Sequence, residues 1–265
     1  MTGKDDSGPA DPTAPELDRI RGAYARRQRE SLGDRYALHR PGPLSIRAQQ
    51  LQQVARALRS EGVLPFSDRR ILEVGCGDGQ WLVDFETMGA RRDRLAGIDL
   101  DPGRIARARQ RLGAAATEDG FAPGAELREG SAHALPWPDG HFDIVFQSTV
   151  FTSIKDAALR TSIAQEMDRV CAREGLVVWY DFFYDNPFNR DVVGLGRQDI
   201  AALFPGWIPE VRRVTLAPPL ARRLSGRFAE VASLLERTGL LNTHYLATLR
   251  RHRPHRRSRR GRWFT

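Results

Sequence analysis

Three stretches of the chain hold residue types at spacings suited to chemistry. In Glu73-Val74-Gly75-Cys76-Gly77-Asp78-Gly79-Gln80, an acid precedes glycines at alternate positions. Glycine turns tightly and lets the backbone approach a ligand closely. A helix starting beyond such a turn offers free N–H groups to a negative group. Asp99, 24 residues after Gly75, is an acid placed to bind the two hydroxyls of a ribose. Loop and acid together describe a nucleoside site better than a glycine turn without a ligand does. A dinucleotide-binding loop needs glycine at position 80, where Gln80 stands. The third stretch pairs Gln147–Thr152 with Tyr180–Asn186 and gathers amides, hydroxyls and the carboxylate of Asp181. Such groups orient a small reactant or accept its proton.

The elements around these residues alternate. Residues 16–31 carry Leu17, Ile20 and Tyr24 at helical spacing, and Ile46, Leu51, Val54 and Leu58 mark a second helix after the break at His39–Pro43. Ile71–Val74, Leu95–Leu100, Ala125–Arg128, Phe142–Phe146 and Leu176–Tyr180 read as short apolar strands. Helical faces lie between them, one opened by Asp101-Pro102, a good N-cap with proline at the first position. Continuous apolar strands alternating with helices predict an α/β fold with a parallel sheet covered on both faces. Val211–Leu216 and Tyr245–Leu249 are further strands, flanking one helical stretch from Leu220 to Leu235.

In this order the segments resemble the class I S-adenosylmethionine (SAM) dependent methyltransferases, of the broad bacterial type-11 domain group, over Arg70–Asp181. Ile71–Gly79 matches the SAM glycine loop. Gly97–Pro102 matches the second motif, whose first acid, Asp99, binds the ribose. Gly130-Ser131-Ala132 followed by Leu135–Asp143 matches the third. Members commonly carry Asp, holding the adenine amino group, where this chain has the uncharged Ser131, which leaves the adenine contact to the Ala132 backbone. Gln147–Val150 resembles the segment lining the methionine end. The resemblance implies SAM as cofactor, held by Glu73, Gly75, Cys76, Gly77, Gly79, Asp99, Leu100, Ser131, Ala132 and Gln147. It implies a Rossmann-like, seven-stranded, mostly parallel sheet with helices on both faces, an antiparallel last strand and N-terminal helices. Trp179–Phe183, Asn186-Pro187 and Val214–Pro219 are similar to methyltransferases of cell-surface sugar and secondary-metabolite pathways.

Methyl transfer from a sulfonium is an in-line displacement, so the protein chiefly holds the nucleophile near the methyl carbon. Ligands of open parallel sheets sit outside the carboxyl ends of the strands. Phe151, Thr152, Tyr180, Tyr184 and Asn186 are therefore the expected acceptor contacts, with Asp181 as candidate base and Tyr24 or Tyr36 facing the methyl from the N-terminal helices. Tyr180 also fits a core position, and Tyr24 a packed helix face. Asp143 reads as structural, and none of the six histidines is assigned to catalysis. No Cys/His cluster has metal spacing, and Cys76 and Cys171 are too few for a disulfide framework.

The net charge of +8 is uneven. Residues 250–265 contain eight arginines and no acid, and the remainder balances at 33 basic and 33 acidic residues. The expected organisation is a disordered leader over 1–15, a helical cap over 16–62, a SAM-binding domain over 63–250 and an arginine-rich tail over 251–265. No uncharged apolar run approaches the ~18 residues of a membrane span, and the start lacks signal-peptide order. A cytoplasmic enzyme with a small-molecule acceptor is the expectation. The alternative is an RNA methyltransferase or a non-catalytic nucleic-acid-binding protein that uses the tail on phosphates. Against it, the place after the fourth strand reads Gln147-Ser148-Thr149-Val150 rather than an adenine-methylating Asn/Asp-Pro-Pro motif, and neither cysteine follows a proline.

Overall fold

A computed structural model describes residues 13–29, 39–66, 68–113, 115–117, 120–122, 124–185, 191–224 and 228–252. Seven strands form one sheet: β1 (Ile71–Val74), β2 (Leu95–Asp99), β5 (Glu126–Glu129), β6 (Phe142–Ser148), β7 (Cys171–Phe182), β8 (Trp207–Leu216) and β9 (Asn242–Arg251). Between β2 and β5 lies a small hairpin, β3 (Ala115–Thr117) with β4 (Gly120–Ala122). The sheet order is β5-β2-β1-β6-β7-β9-β8. From β5 to β7 neighbouring strands pair in parallel, while β9 runs antiparallel to both β7 and β8. The seven-stranded, mostly parallel sheet with an antiparallel last strand is the expected one. Its order reverses beside β1, which opens a crevice at the carboxyl ends of β1 and β6.

Both faces are covered because the central strands are apolar on both sides. All four residues of β1 are buried. On one face Val74, Ile98, Phe151, Trp179 and Trp207 pack with α1 (Ala14–Arg29), α5 (Ala157–Val170) and α6 (Arg197–Leu203). On the other, Ile71, Phe146, Val178 and Tyr180 pack with α2 (Pro41–Ser60), α3 (Gln80–Thr87) and α4 (Pro102–Leu112). Asp101 caps α4, its carboxylate accepting from the Gly103 and Arg104 N–H groups at 2.8 and 3.1 Å.

Some boundaries differ from the sequence reading. Helix α2 starts inside the expected break, at Pro41, because proline suits the first helical turn. Strand β7 begins at Cys171, so the Glu174-Gly175 turn lies within it, opposite a register shift between Phe142 and Ile144. A Cβ on Gly175 would lie 2.6 Å from Cys171 Sγ and 2.8 Å from Ala172 O. The single expected helix after β8 is two, α7 (Pro218–Leu224) and α8 (Ala229–Thr238). Arg250 and Arg251, counted with the tail from composition, end β9 and are tied to Glu61 and Asp168. The remaining tail, 253–265, and leader residues 1–12 lie outside the described residues. Among the described residues no helix is long and apolar enough to cross a membrane.

Candidate active site

The loop after β1 is shaped by backbone that glycine favours. Gly75, Gly77 and Gly79 have φ of 69°, 53° and 75°, in the left-handed region. A Cβ on Gly75 would lie 2.4 Å from Val150 Cγ2, and one on Gly79 would lie 2.9 Å from Leu112 Cδ1. The Gly75 and Cys76 N–H groups donate to Ile98 O at 2.8 and 3.0 Å, fastening this loop to β2. Asp99 closes the join, accepting from Gly77 N at 2.8 Å and Asp101 N at 3.0 Å. Burial raises its pKa, and these two N–H groups oppose the rise.

Above the loops lies a cleft of about 1540 Å³. One half is walled by Val74, Gly75, Asp78, Asp99, Leu100, Gly130, Ser131 and Ala132, at the carboxyl ends of β1, β2 and β5. Asp78 pairs with Arg107 at 3.1 Å, and the Ser131 hydroxyl lies 2.6 Å from His133 Nδ1. The other half is walled by Ile20, Tyr24, Arg47, Gln50, Ser148, Thr149, Thr152, Ser153, Phe182, Tyr184, Pro218 and His244.

That second half rests on buried polar supports. Thr149 has φ 58°, a strained conformation for a β-branched residue, costing on the order of 1–3 kcal/mol. Its N–H donates to Tyr180 O at 2.8 Å, holding the turn after β6 against β7. His244 stacks on Tyr180, with centroids 4.8 Å apart, and lies 3.9 Å from the Phe182 ring centroid. Its Nδ1 is 2.9 Å from Thr243 Oγ1. Burial pulls its pKa down to about 3, so the imidazole on the cleft wall is neutral at pH 7. Helix α1 is pinned across this half: Arg19 donates to Ser153 O at 2.6 Å, the Tyr24 hydroxyl donates to Ser153 Oγ at 3.4 Å, and Glu16 accepts from Lys155 N at 2.5 Å. The Arg104 guanidinium lies 4.4 Å from the Tyr24 ring centroid, so one cation–π contact spans the two halves.

Several expected site residues stand behind the wall rather than on it. Asp181 is fully buried and accepts from Thr152 Oγ1 at 2.5 Å, Thr152 N at 3.2 Å and Phe182 N at 3.0 Å. Burial pushes its pKa up to about 7. This corrects the candidate base: Asp181 anchors the short turn Phe151–Ser153, and Thr152 stands between it and the cleft. Tyr180 is corrected to the core, its hydroxyl meeting Thr215 Oγ1 at 2.7 Å and accepting from Gln50 Nε2 at 2.9 Å. Phe151 is also core, packed on Trp179 with centroids 4.4 Å apart. Gln147 is buried, its Oε1 accepting from Val150 N at 3.1 Å. Glu73 is turned under the loop, where burial raises its pKa well above the usual carboxyl range. One Glu73 oxygen and the Gln147 Nε2 have no partner among the described residues. Cys76 packs against Gly97; it and the positive-φ Gly77 and Gly79 shape the loop without lining the cleft. Asp143 accepts from Arg70 N at 2.8 Å, as a structural residue would. Asn186 and Tyr36 lie outside the described residues. The sequence reading missed Arg47, Gln50 and His244, which reach the cleft from distant elements, and Ser153, which follows the expected Thr152. Only the register of β9 against β7, placing His244 beside Phe182, marks one of them.

The first half suits a nucleoside sulfonium cofactor. Asp99 offers acceptor oxygens for ribose hydroxyls, and Gly75 presents bare backbone to the cleft, where a Cβ would strike Val150. Comparisons agree with this. A family profile described as "Methyltransferase domain" matches residues 72–179. A Cereibacter sphaeroides protein named phosphatidylethanolamine N-methyltransferase is 33% identical over 57% of this chain and 70% of its own length. A Bacillus licheniformis demethylmenaquinone methyltransferase is 25% identical over 66% of this chain and 71% of its own. The chain spans about half the length of the mycobacterial relatives it matches, 52%. The solved structure of an S-adenosylmethionine-dependent methyltransferase from Mesorhizobium loti shares the fold, with a TM-score of 0.51 and 21% identity over 74% of this chain and 96% of that one. Identity of that extent, on this sheet and with this glycine loop, makes the chain a member of the class I S-adenosylmethionine-dependent methyltransferases, with S-adenosylmethionine as its cofactor.

Proposed function

We propose that the chain methylates a small, largely apolar acceptor of the lipid or secondary-metabolite class. The observation that carries this reading is the second half of the cleft. Ile20, Tyr24, Ile46, Phe182, Tyr184, Pro218 and Pro219 give it an apolar and aromatic surface, among which Gln50, Thr149, Thr152, Ser153 and His244 set the polar groups that fix orientation. The relatives named for phosphatidylethanolamine and demethylmenaquinone support the same class. When bound, the cofactor supplies a methyl group already activated by its sulfonium. In this reading Asp99 holds the ribose, and Leu100, Ser131 and Ala132 border the adenine. Tyr24, Thr149, Thr152, Tyr184 and His244 place the acceptor, with residues 16–62 as a cap on the domain over 63–250. A neutral imidazole at His244 accepts or donates a hydrogen bond, so it can orient a hydroxyl or an amine. Cytoplasmic residence belongs to the same reading.

The test is turnover of methyl-labelled S-adenosylmethionine against lysate separated into organic-phase, polar-metabolite and nucleic-acid fractions, with products detected by mass. A methylated organic-phase product is expected. Label carried only by RNA or DNA would replace this reading with the nucleic-acid one. Cofactor binding without a product in any fraction would make the protein non-catalytic.

A further inference from the structure

Eight large apolar side chains are exposed among the described residues, and five of them fall within residues 228–241: Phe228, Val231, Leu234, Leu240 and Leu241. Leu234 and Leu240 are 63% and 78% exposed. Phe228, the residue before α8, and Val231 and Leu234 within it recur every three residues, so they share its outward side. The inward side is already satisfied, with Ala232 and Leu235 packed with Leu216 and Ala221. Helix α8 is therefore apolar on both sides, unlike an ordinary surface helix.

Two further observations say what covers the outward side. The surface is basic: Arg213, Arg223 and Arg237 are exposed, and the exposed acid among residues 213–241 is Glu230. Arg213 reaches the turn itself, its Cβ 3.9 Å from where a Cβ on Gly239 would stand. The patch also adjoins the cleft. Leu241 O accepts from Ala217 N at 2.9 Å, and Ala217, Pro218, Pro219 and Arg222 line the acceptor half. Apolar side chains that insert between acyl chains, with exposed arginines on the same and neighbouring elements to meet headgroups, are the composition of an interfacial membrane contact. A second copy of the chain on this face would bring like-charged arginines together across a two-fold axis.

We propose that α8 and the turn 239–241 dock on an anionic lipid bilayer and hold the acceptor side of the cleft at the headgroup layer. The idea rests on the reading of the acceptor as an apolar small molecule, and its test is separate from turnover. The full chain is sedimented with vesicles of phosphatidylcholine alone and with vesicles containing phosphatidylglycerol. Expected is binding to the phosphatidylglycerol vesicles that weakens with salt, and about tenfold weaker binding for the triple variant Phe228→Ser, Leu234→Ser, Leu240→Ser. Calorimetry should show unchanged cofactor affinity in that variant, which verifies its fold. A chain ending at His252, without the six arginines of 253–262, should still bind. The proposal is overturned if the wild type does not sediment, if the triple variant binds equally, if the truncation alone abolishes binding, or if the variant instead converts a dimer to a monomer. Failure to find a methylated lipid product would count against the acceptor reading and leave the sedimentation result standing.

Discussion

The two halves of the cleft are built by different means. The cofactor half rests on backbone: a loop of positive-φ glycines, fastened by main-chain N–H groups and by one carboxylate that joins two adjacent loops. The acceptor half is made of side chains from α1, α2, β7, α7 and β9, held by pairs as far apart in sequence as Tyr24 and Ser153 or Gln50 and Tyr180. A backbone site recognises what every member of the family shares, the cofactor. A side-chain site changes with each substitution and sets the acceptor. The halves are therefore expected to fail separately.

The largest expected effect lies in the cofactor half. Gly75→Val forces a side chain into Val150, and Asp99→Ala removes the loop clamp and the ribose acceptor. Each should weaken S-adenosylmethionine binding by about a hundredfold or more in calorimetry, Asp99→Ala by the loss of charge-assisted hydrogen bonds and Gly75→Val by displacing the loop. Normal affinity in both would undo the division of labour.

Next is stability against pH, which isolates the acceptor half. The pKa of Asp181 rises from 3.8 to about 7 on folding. Its contribution is full below pH 3.8 and is lost as pH rises through about 7. The pKa of His244 falls from 6.5 to about 3, so its contribution is full above pH 6.5 and is lost as pH falls through about 3. In the overlap between about 4 and 6.5 the two slopes oppose, each at ~1.4 kcal/mol per pH unit at most. Asp181→Asn should leave a Tm that drops on acidification, and His244→Phe one that drops as pH rises from 4 to 7. Equal Tm profiles in the two variants would show that neither group titrates as its burial dictates.

The smallest effect sharpens the contrast. His244→Ala should lower kcat about tenfold through a misplaced acceptor while cofactor affinity stays within about twofold. A matching loss of cofactor affinity would show the halves to be coupled, with the Arg104–Tyr24 contact as the obvious route.

The same contrast explains what the sequence revealed. Glycine spacing and the distance to Asp99 are local, and the strand pattern fixes where they sit, so the sheet and the join of the glycine loop to Asp99 were legible, while Glu73, Cys76, Gly77, Gly79 and Gln147, expected to hold the cofactor, stand off the cleft wall. In the acceptor half Tyr180 and Asp181 are neighbours in sequence, yet alternation in β7 sends the tyrosine into one core layer, and the carboxylate is captured by Thr152. Residue type placed both at the site; only the packing of α2 and the turn after β6 removes them. His244 shows the converse. An isolated histidine near a strand end has no signature until β9 pairs with β7 and slides it beside Phe182. The hairpin β3–β4 and the division of α7 from α8 likewise lack periodicity long enough to announce them.

Strand β9 has a practical consequence. It starts at the rim of the cleft with Asn242–His244 and runs antiparallel to β7 to end at Arg251, beside Asp168 at the opposite end of the strand from the cleft. At ~3.4 Å per residue, a fluorophore or surface tether attached after His252 sits roughly 25 Å from the His244 ring. Immobilised by that end, the enzyme would present both the cleft mouth and α8 to a solution or to a vesicle suspension.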